Sequence, residues 1–219
     1  MEEMGYSVDK ACYVFYKMLN KKIIARVVGI ITHAMLDAIY YLSTKIGTVH
    51  GNIKTSNILF NEYGEVKLSD YDGFTRRLRS IQAQSRDLGC PYYKAPEQIK
   101  ANPATLKDDI RSDVWSIGVC MLEMLLGSNP YSECKNIFDF IVRVVHGPVP
   151  LSVVTRKDIL VPELVEYISH FLIKEIEQRP YPAELMEHRF YHICPLTSHT
   201  ILYWCREVII ADNARVIHP

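Results

Sequence analysis

The chain has 219 residues, with 25 Lys plus Arg against 25 Asp plus Glu, 48% hydrophobic residues and 23% charged ones. A chain this apolar can bury enough surface to offset its chain entropy, which excludes disorder. A formal net charge of zero leaves no electrostatic footprint for nucleic acid or an anionic membrane, so neither is expected as a partner. The first periodic element begins at Ile24. Ile24, Val28, Ile31, Met35, Ile39 and Leu42 follow spacings of four and three, one face of a long helix. Val27, Ile30, Ala34 and Ala38 add a second apolar face, which places this helix deep in the core, and Gly47 stops it.

A polar segment from His50 to Asn57 precedes two strand-like runs, Ile58-Leu59-Phe60 and Val66-Lys67-Leu68. Asn61 to Glu65 joins them with Gly64 near its end, a hairpin signature. From Asp70 to Ile99 periodicity disappears, and the composition turns polar and basic with Arg76, Arg77, Arg79 and Arg86. A solvated basic loop and a surface for an acidic partner are both open readings of it. Asp113 to Leu126 is apolar almost all round and predicts a central buried helix. Weaker helical patterns follow at Ile137 to Val145 and at Val161 to Ile173, where Leu164, Ile168 and Phe171 share a face. Pro182 opens a helix through Glu187, and Thr200 to Ile210 is a last amphipathic candidate. The expected fold class is mainly α with a small β-hairpin.

Six cysteines (Cys12, Cys90, Cys120, Cys134, Cys194, Cys205) are scattered with no C-x-x-C pair, which predicts reduced thiols in an intracellular protein. Met1-Glu2-Glu3-Met4 has neither the basic nor the apolar region of a signal peptide. Ile23 to Met35 is interrupted by Arg26 and His33, and Val114 to Leu126 by Glu123, so neither offers the roughly 18 uninterrupted apolar residues of a spanning helix. A soluble, cytoplasmic protein without a membrane partner is expected.

The chemistry lies in His50-Gly51-Asn52-Ile53-Lys54-Thr55-Ser56-Asn57, followed after the hairpin by Asp70-Tyr71-Asp72-Gly73. This resembles the protein-kinase catalytic loop H-R-D-x-K-x-x-N and the metal-binding D-F-G. Ala95-Pro96-Glu97 matches A-P-E, Ser112 to Gly118 matches the start of the family's buried central helix, and Gln178-Arg179-Pro180 matches the arginine that pairs with the A-P-E glutamate. Any one of these motifs is weak; together, in order and at the right intervals, they are specific. Within the superfamily the chain resembles a MAP kinase kinase, closest to the p38-activating branch. Met1 to Met4 with Ser7 to Lys10 resembles the hinge and the helix after it, Ser80 to Glu97 the activation segment, and Tyr181 to His188 the segment before the tail. The resemblance implies a hinge-like segment over 1–10, a kinase carboxy-terminal lobe over 11–193 and a tail over 194–219. It leaves no room for an amino-terminal β lobe. Only 49 residues precede His50, with no G-x-G and no V-A-I-K-like lysine, where about five strands and a helix are needed. The expectation is a carboxy-terminal lobe lacking that β lobe.

Residue by residue, the resemblance implies ATP and Mg²⁺ as cofactors, with weak or absent binding. Met4 falls in the hinge-like stretch that borders the nucleotide, Asn57 and Asp70 offer hard oxygens to Mg²⁺, and Lys54 stabilises the moving phosphoryl group. Asn52 stands where the family has its catalytic aspartate. An amide can hydrogen-bond a hydroxyl but has no basic site for its proton, and a general base is typically worth roughly 10²–10⁴-fold. Gly51 replaces the motif arginine, and one extra residue sits inside D-F-G, adding the carboxylate of Asp72. Ser80 and Ser85 fall where activating phosphosites lie, at an interval one residue longer than the family's; a solvated loop and a working switch both remain open.

His50 reads as scaffold, Asp113 as an anchor for catalytic-loop N–H groups, and Glu97 with Arg179 as a structural ion pair. His188, His192 and Cys194 have a zinc-like spacing, but a closed site wants four ligands. The expected function is a catalytically impaired MAP-kinase-kinase-like pseudokinase that docks or scaffolds in MAP kinase signalling. Its expected partners are MAP kinases and upstream MAP kinase kinase kinases, the latter through the tail helix. An active dual-specificity kinase seen as a truncated gene product, and a degenerate non-functional copy, are the alternatives.

Overall fold

The structure, a computed structural model, describes residues 4–71, 91–100, 108–153, 161–196 and 199–217. Ser80 and Ser85, the arginines from Arg76 to Arg86, and Cys90 lie outside the described residues. In chain order β1 is Tyr6–Ser7, α1 Val8–Tyr13, α2 Ala25–Tyr41, β2 Ile58–Phe60, β3 Val66–Leu68, α3 Pro96–Lys100 and α4 Ile110–Leu126. Then come α5 Ile137–Val145, α6 Pro162–Phe171, α7 Pro182–Met186, α8 Arg189–His192 and α9 His199–Ile217. The described chain is a mainly helical lobe carrying one small sheet, in agreement with the expected class.

The stripe read from the sequence forms α2, which runs on as a π turn over Leu42–Ile46 and ends at a left-handed Gly47. Val28, Ile31, Met35 and Ile39 are buried. On the second face Val27 and Ile30 are buried while Ala34 and Ala38 are half-buried, and Leu36 turns inward instead. Ile24 precedes the first turn in an extended conformation and is exposed. By length and composition Ala25–Ile46 would also suit a membrane span, but half of its most apolar window is buried in this fold. That burial accounts for its hydrophobicity.

α4 begins three residues before Asp113 because Asp109 caps it, accepting the Arg111 N–H at 2.9 Å. All its residues from Ile110 to Leu122 are buried, as an all-round apolar sequence requires. α4 packs on α2 and on α6. The approach to α6 is close at Gly118, where a Cβ would stand 2.7 Å from the Cβ of Phe171. At its other end the Tyr16 hydroxyl donates to the carbonyls of Met124 (3.1 Å) and Leu125 (2.6 Å), closing the helix terminus.

The hairpin forms as read, with Ile58 opposite Leu68 and Phe60 opposite Val66. The Asn61 side chain closes its turn, accepting the N–H groups of Tyr63 and Glu65 at 3.0 and 3.1 Å. The sheet nevertheless has a third strand, because β1 pairs antiparallel with β2, Tyr6 opposite Phe60. Two residues carry no readable alternation, so this strand is invisible in sequence.

The tail is part of the core. Ile201, Trp204, Cys205 and Val208 of α9 are buried, and the Trp204 ring lies 5.8 Å from Phe15 and 5.0 Å from Phe60. Lys10 pairs with Asp212 at 2.6 Å across the same contact. The five described cysteines are free and buried, and burial pushes the Cys205 thiol up to about 12, the mark of an inert thiol.

Gly118→Ala is expected to lower the melting temperature by several degrees. Overpacking costs roughly 1–3 kcal/mol, against about 1 kcal/mol gained in helix propensity, and both crowded atoms are fixed to backbone. A melting temperature by circular dichroism that is raised, as helix propensity alone would give, would refute the close contact.

Candidate functional site

The segment His50–Asn57 leaves α2 for β2, and α4 holds it in place. The Asp113 carboxylate accepts the backbone N–H of His50 at 2.6 Å and of Gly51 at 2.8 Å. Gly51 sits at φ 76, a left-handed conformation that a side chain at this position would strain. Its carbonyl accepts from the Lys94 ammonium at 2.8 Å, so the Gly51 peptide is gripped at both ends. His50 is buried, its Nδ1 accepting the Asn52 N–H at 3.3 Å and its Nε2 lying 3.1 Å from the Ser69 carbonyl. Those two bonds together call for the Nε2–H tautomer.

Asn52, Asn57 and Asp70 come together at the end of this loop. The Asn57 side-chain amide donates to the Asn52 carbonyl at 2.8 Å, and the Asn52 amide donates to the Asp70 carbonyl at 3.4 Å. Ser69 donates to the Asn57 carbonyl through both its N–H (2.8 Å) and its hydroxyl (3.1 Å), tying the loop to the strand that delivers Asp70. Asn57 is buried; Asp70 is exposed at φ 55. Lys54 is half-buried in the same loop, its carbonyl accepting the Asn57 N–H at 2.9 Å. Met4, half-buried before β1, makes no hydrogen bond to this group among the described residues. Asn57 and Asp70 each carry a hard oxygen donor, and both are linked to Asn52. Mg²⁺ asks for one or two protein oxygens and takes the rest from water and phosphate, so the donor set fits it.

Glu97 and Arg179 form a second fixed point. The guanidinium donates to both Glu97 oxygens at 2.8 and 3.0 Å, to the Arg111 carbonyl at 2.7 Å and to the Ile173 carbonyl at 2.8 Å. It lies over the Trp115 ring at 5.3 Å, and Ser112 donates to Glu97 at 2.8 Å.

Sequence reasoning missed Glu123, noted there only as an interruption of an apolar helix. Its carboxylate accepts from the Tyr93 hydroxyl at 2.6 Å, the Thr55 hydroxyl at 3.2 Å and the Asn129 amide at 3.4 Å. Burial pushes its pKa up, offset in part by those three hydrogen bonds. A lone carboxylate in a helix apolar all round was the available signal. His188, His192 and Cys194 do not assemble: His192 is exposed, while Cys194 is buried against Gly29.

Two predictions follow from this geometry. Asp113→Asn leaves an amide nitrogen facing a backbone donor, which costs about 1–3 kcal/mol; hydrogen exchange should show faster exchange at His50 and Gly51, and unchanged protection would contradict the anchor. For Glu123 the folded pKa lies above the unfolded one, so its stabilising share is present below about pH 4.5 and is lost as pH rises through the folded value. Glu123→Gln should therefore gain stability relative to the wild type between pH 4.5 and pH 8. A pH-independent difference in melting temperature would refute the raised pKa.

The profile of the family described as protein kinase domain matches residues 9–191. The chain is 33% identical over 210 residues to the dual specificity mitogen-activated protein kinase kinase 7 of Mus musculus, covering 95% of this chain and 38% of that protein. It is 37% identical over 194 residues to the MAP kinase kinase mkk-4 of Caenorhabditis elegans, covering 88% and 52%. It is 32% identical over 213 residues to the dual specificity mitogen-activated protein kinase kinase hemipterous of Drosophila melanogaster, covering 97% and 17%. The chain thus spans about half or less of the length of these curated relatives.

Proposed function

The chain belongs to the protein kinase domain family and is MAP-kinase-kinase-like, and from that premise we propose that it is a catalytically impaired member acting by docking in MAP kinase signalling. The observation that carries this reading is Asn52. Its position is the one from which a substrate hydroxyl would be deprotonated, and its side chain is an amide that donates to the Asp70 carbonyl. It can orient a hydroxyl but has no lone pair basic enough to take the proton. Gly51 removes the arginine that would couple the loop to a phosphorylated activation segment, and Lys94 holds that peptide instead.

The rest of the loop retains parts of phosphoryl-transfer machinery. Asn57 and Asp70 would hold Mg²⁺, which supplies charge neutralisation on the phosphoryl oxygens when ATP is bound. Lys54 contributes positive charge to the same region. These retained groups favour a second reading, a weak or context-dependent dual-specificity kinase within a longer protein. Partners on either reading are MAP kinases and upstream kinases, and the cytoplasm is the proposed compartment.

Docking of upstream kinases is assigned to α9, whose outer face presents Tyr203 and Ile210, 68% and 69% exposed and seven residues apart. Deleting the tail would strip the core of Trp204, so point substitutions are the appropriate probe.

A radiolabelled phosphotransfer assay on MAP kinases separates the readings. Wild-type transfer should be near background, and Asn52→Asp should raise it by about 10²-fold or more; robust wild-type transfer overturns the impaired reading. In pull-downs with upstream kinases, Tyr203→Ala with Ile210→Ala should lose the partner while the melt is unchanged. Retained binding removes the docking assignment.

A further inference from the structure

We propose that Glu166, His170 and His188 form a binding site for one divalent transition-metal ion of the zinc class, apart from the catalytic loop. Glu166 and His170 are four residues apart on α6 and therefore share a face. His188, the residue that caps α8, reaches the same face from the turn after α7. One donor atom from each lies within 4.8 Å of the other two. Zinc bonds of about 2.0–2.2 Å in tetrahedral geometry separate donors by about 3.4 Å, so side-chain rotations of about an ångström close the set.

The chemistry of the donors suits such an ion. Two imidazoles and one carboxylate are borderline ligands that select zinc, nickel or copper over magnesium or calcium. Three protein donors leave a fourth position for water, and Glu166 is exposed, so the site opens to solvent. The His188 ring is held by stacking on Tyr167 at 4.7 Å and 27°, and the Tyr167 hydroxyl is fixed on the Leu185 carbonyl at 3.1 Å.

One contact opposes the ion. His188 Nδ1 accepts the Phe190 N–H at 3.0 Å. Whichever ring nitrogen ligates, that N–H loses its acceptor, because the other nitrogen must then carry the proton. The loss is comparable to that of a helix cap and lowers the affinity by about 30-fold or less. α8 is only four residues long, so little else depends on that cap. The occupied site would fasten α6 to the α7–α8 turn. The histidine pair that the sequence spacing suggested, His188 with His192, is replaced by a pair brought together only by the fold.

The test uses the full chain, stripped with chelator and titrated with ZnCl₂ by calorimetry and with CoCl₂ by visible absorption. Expected are one equivalent of Zn²⁺, a tetrahedral-type Co²⁺ band, and a melting temperature raised by about 5 °C or more at a hundredfold excess over Kd. His170→Gln and Glu166→Gln should each weaken binding tenfold or more, while His192→Gln leaves it unchanged. Both substituted positions are at least partly exposed, and equal metal-free melting temperatures establish that the variants fold. No saturable binding, or binding that survives His170→Gln, or binding lost in His192→Gln, overturns the site.

Discussion

The fold turns on the guanidinium of Arg179, which is 1% exposed and bonded on every side. It joins Glu97 of α3, the Arg111 carbonyl of α4 and the Ile173 carbonyl after α6, with Trp115 beneath it. Leaving such a charge buried without its partner costs about 3–5 kcal/mol, so the three segments are locked to one another. Ser112 extends the lock by donating to Glu97, and its neighbour Asp113 carries it to the catalytic loop. The position of Asn52 is thus set by contacts that begin far along the chain.

That frame holds the loop by its backbone rather than by the side chains mounted on it. Asp113 holds the loop by the backbone N–H groups of His50 and Gly51, and the left-handed Gly51 suits a residue without a side chain. A loop anchored this way accommodates an amide at position 52, and its left-handed turn at position 51 favours glycine. Lys94 takes the Gly51 carbonyl, so this glycine is held through both its N–H and its carbonyl. The scaffold of the loop thus rests on backbone atoms, apart from the side-chain atoms that a phosphoryl transfer would use.

What could be read from the sequence was whatever is periodic or local. α5 is legible at its bounds, and α2 from Val28, Ile31, Met35 and Ile39, because burial on one face imposes the helical repeat. The start of α4 was read late because the Asp109 cap acts through a side chain outside the apolar run. β1 was missed because two residues have no pattern. The amphipathic pattern of the tail does not say what it packs on: Trp204 lies against Phe15 and Phe60, contacts spanning most of the chain. In the site, motif residues could be assigned roles one at a time. The joining of Glu123 to Thr55 and Tyr93, and of Lys94 to Gly51, depends on helix positions that no local spacing encodes.

The Glu123 cluster also determines what the surroundings of the loop can undergo. Thr55 and Tyr93 carry hydroxyls next to the catalytic loop and beside the A-P-E motif, where a modifying enzyme would find them by sequence. Both residues are buried, and both hydroxyls are engaged by one carboxylate, 3.0 Å from each other. A phosphate on either would bring about two further negative charges against Glu123 at a buried position. The folded chain therefore withholds these two groups from covalent regulation, and any signal written on this region must be written elsewhere.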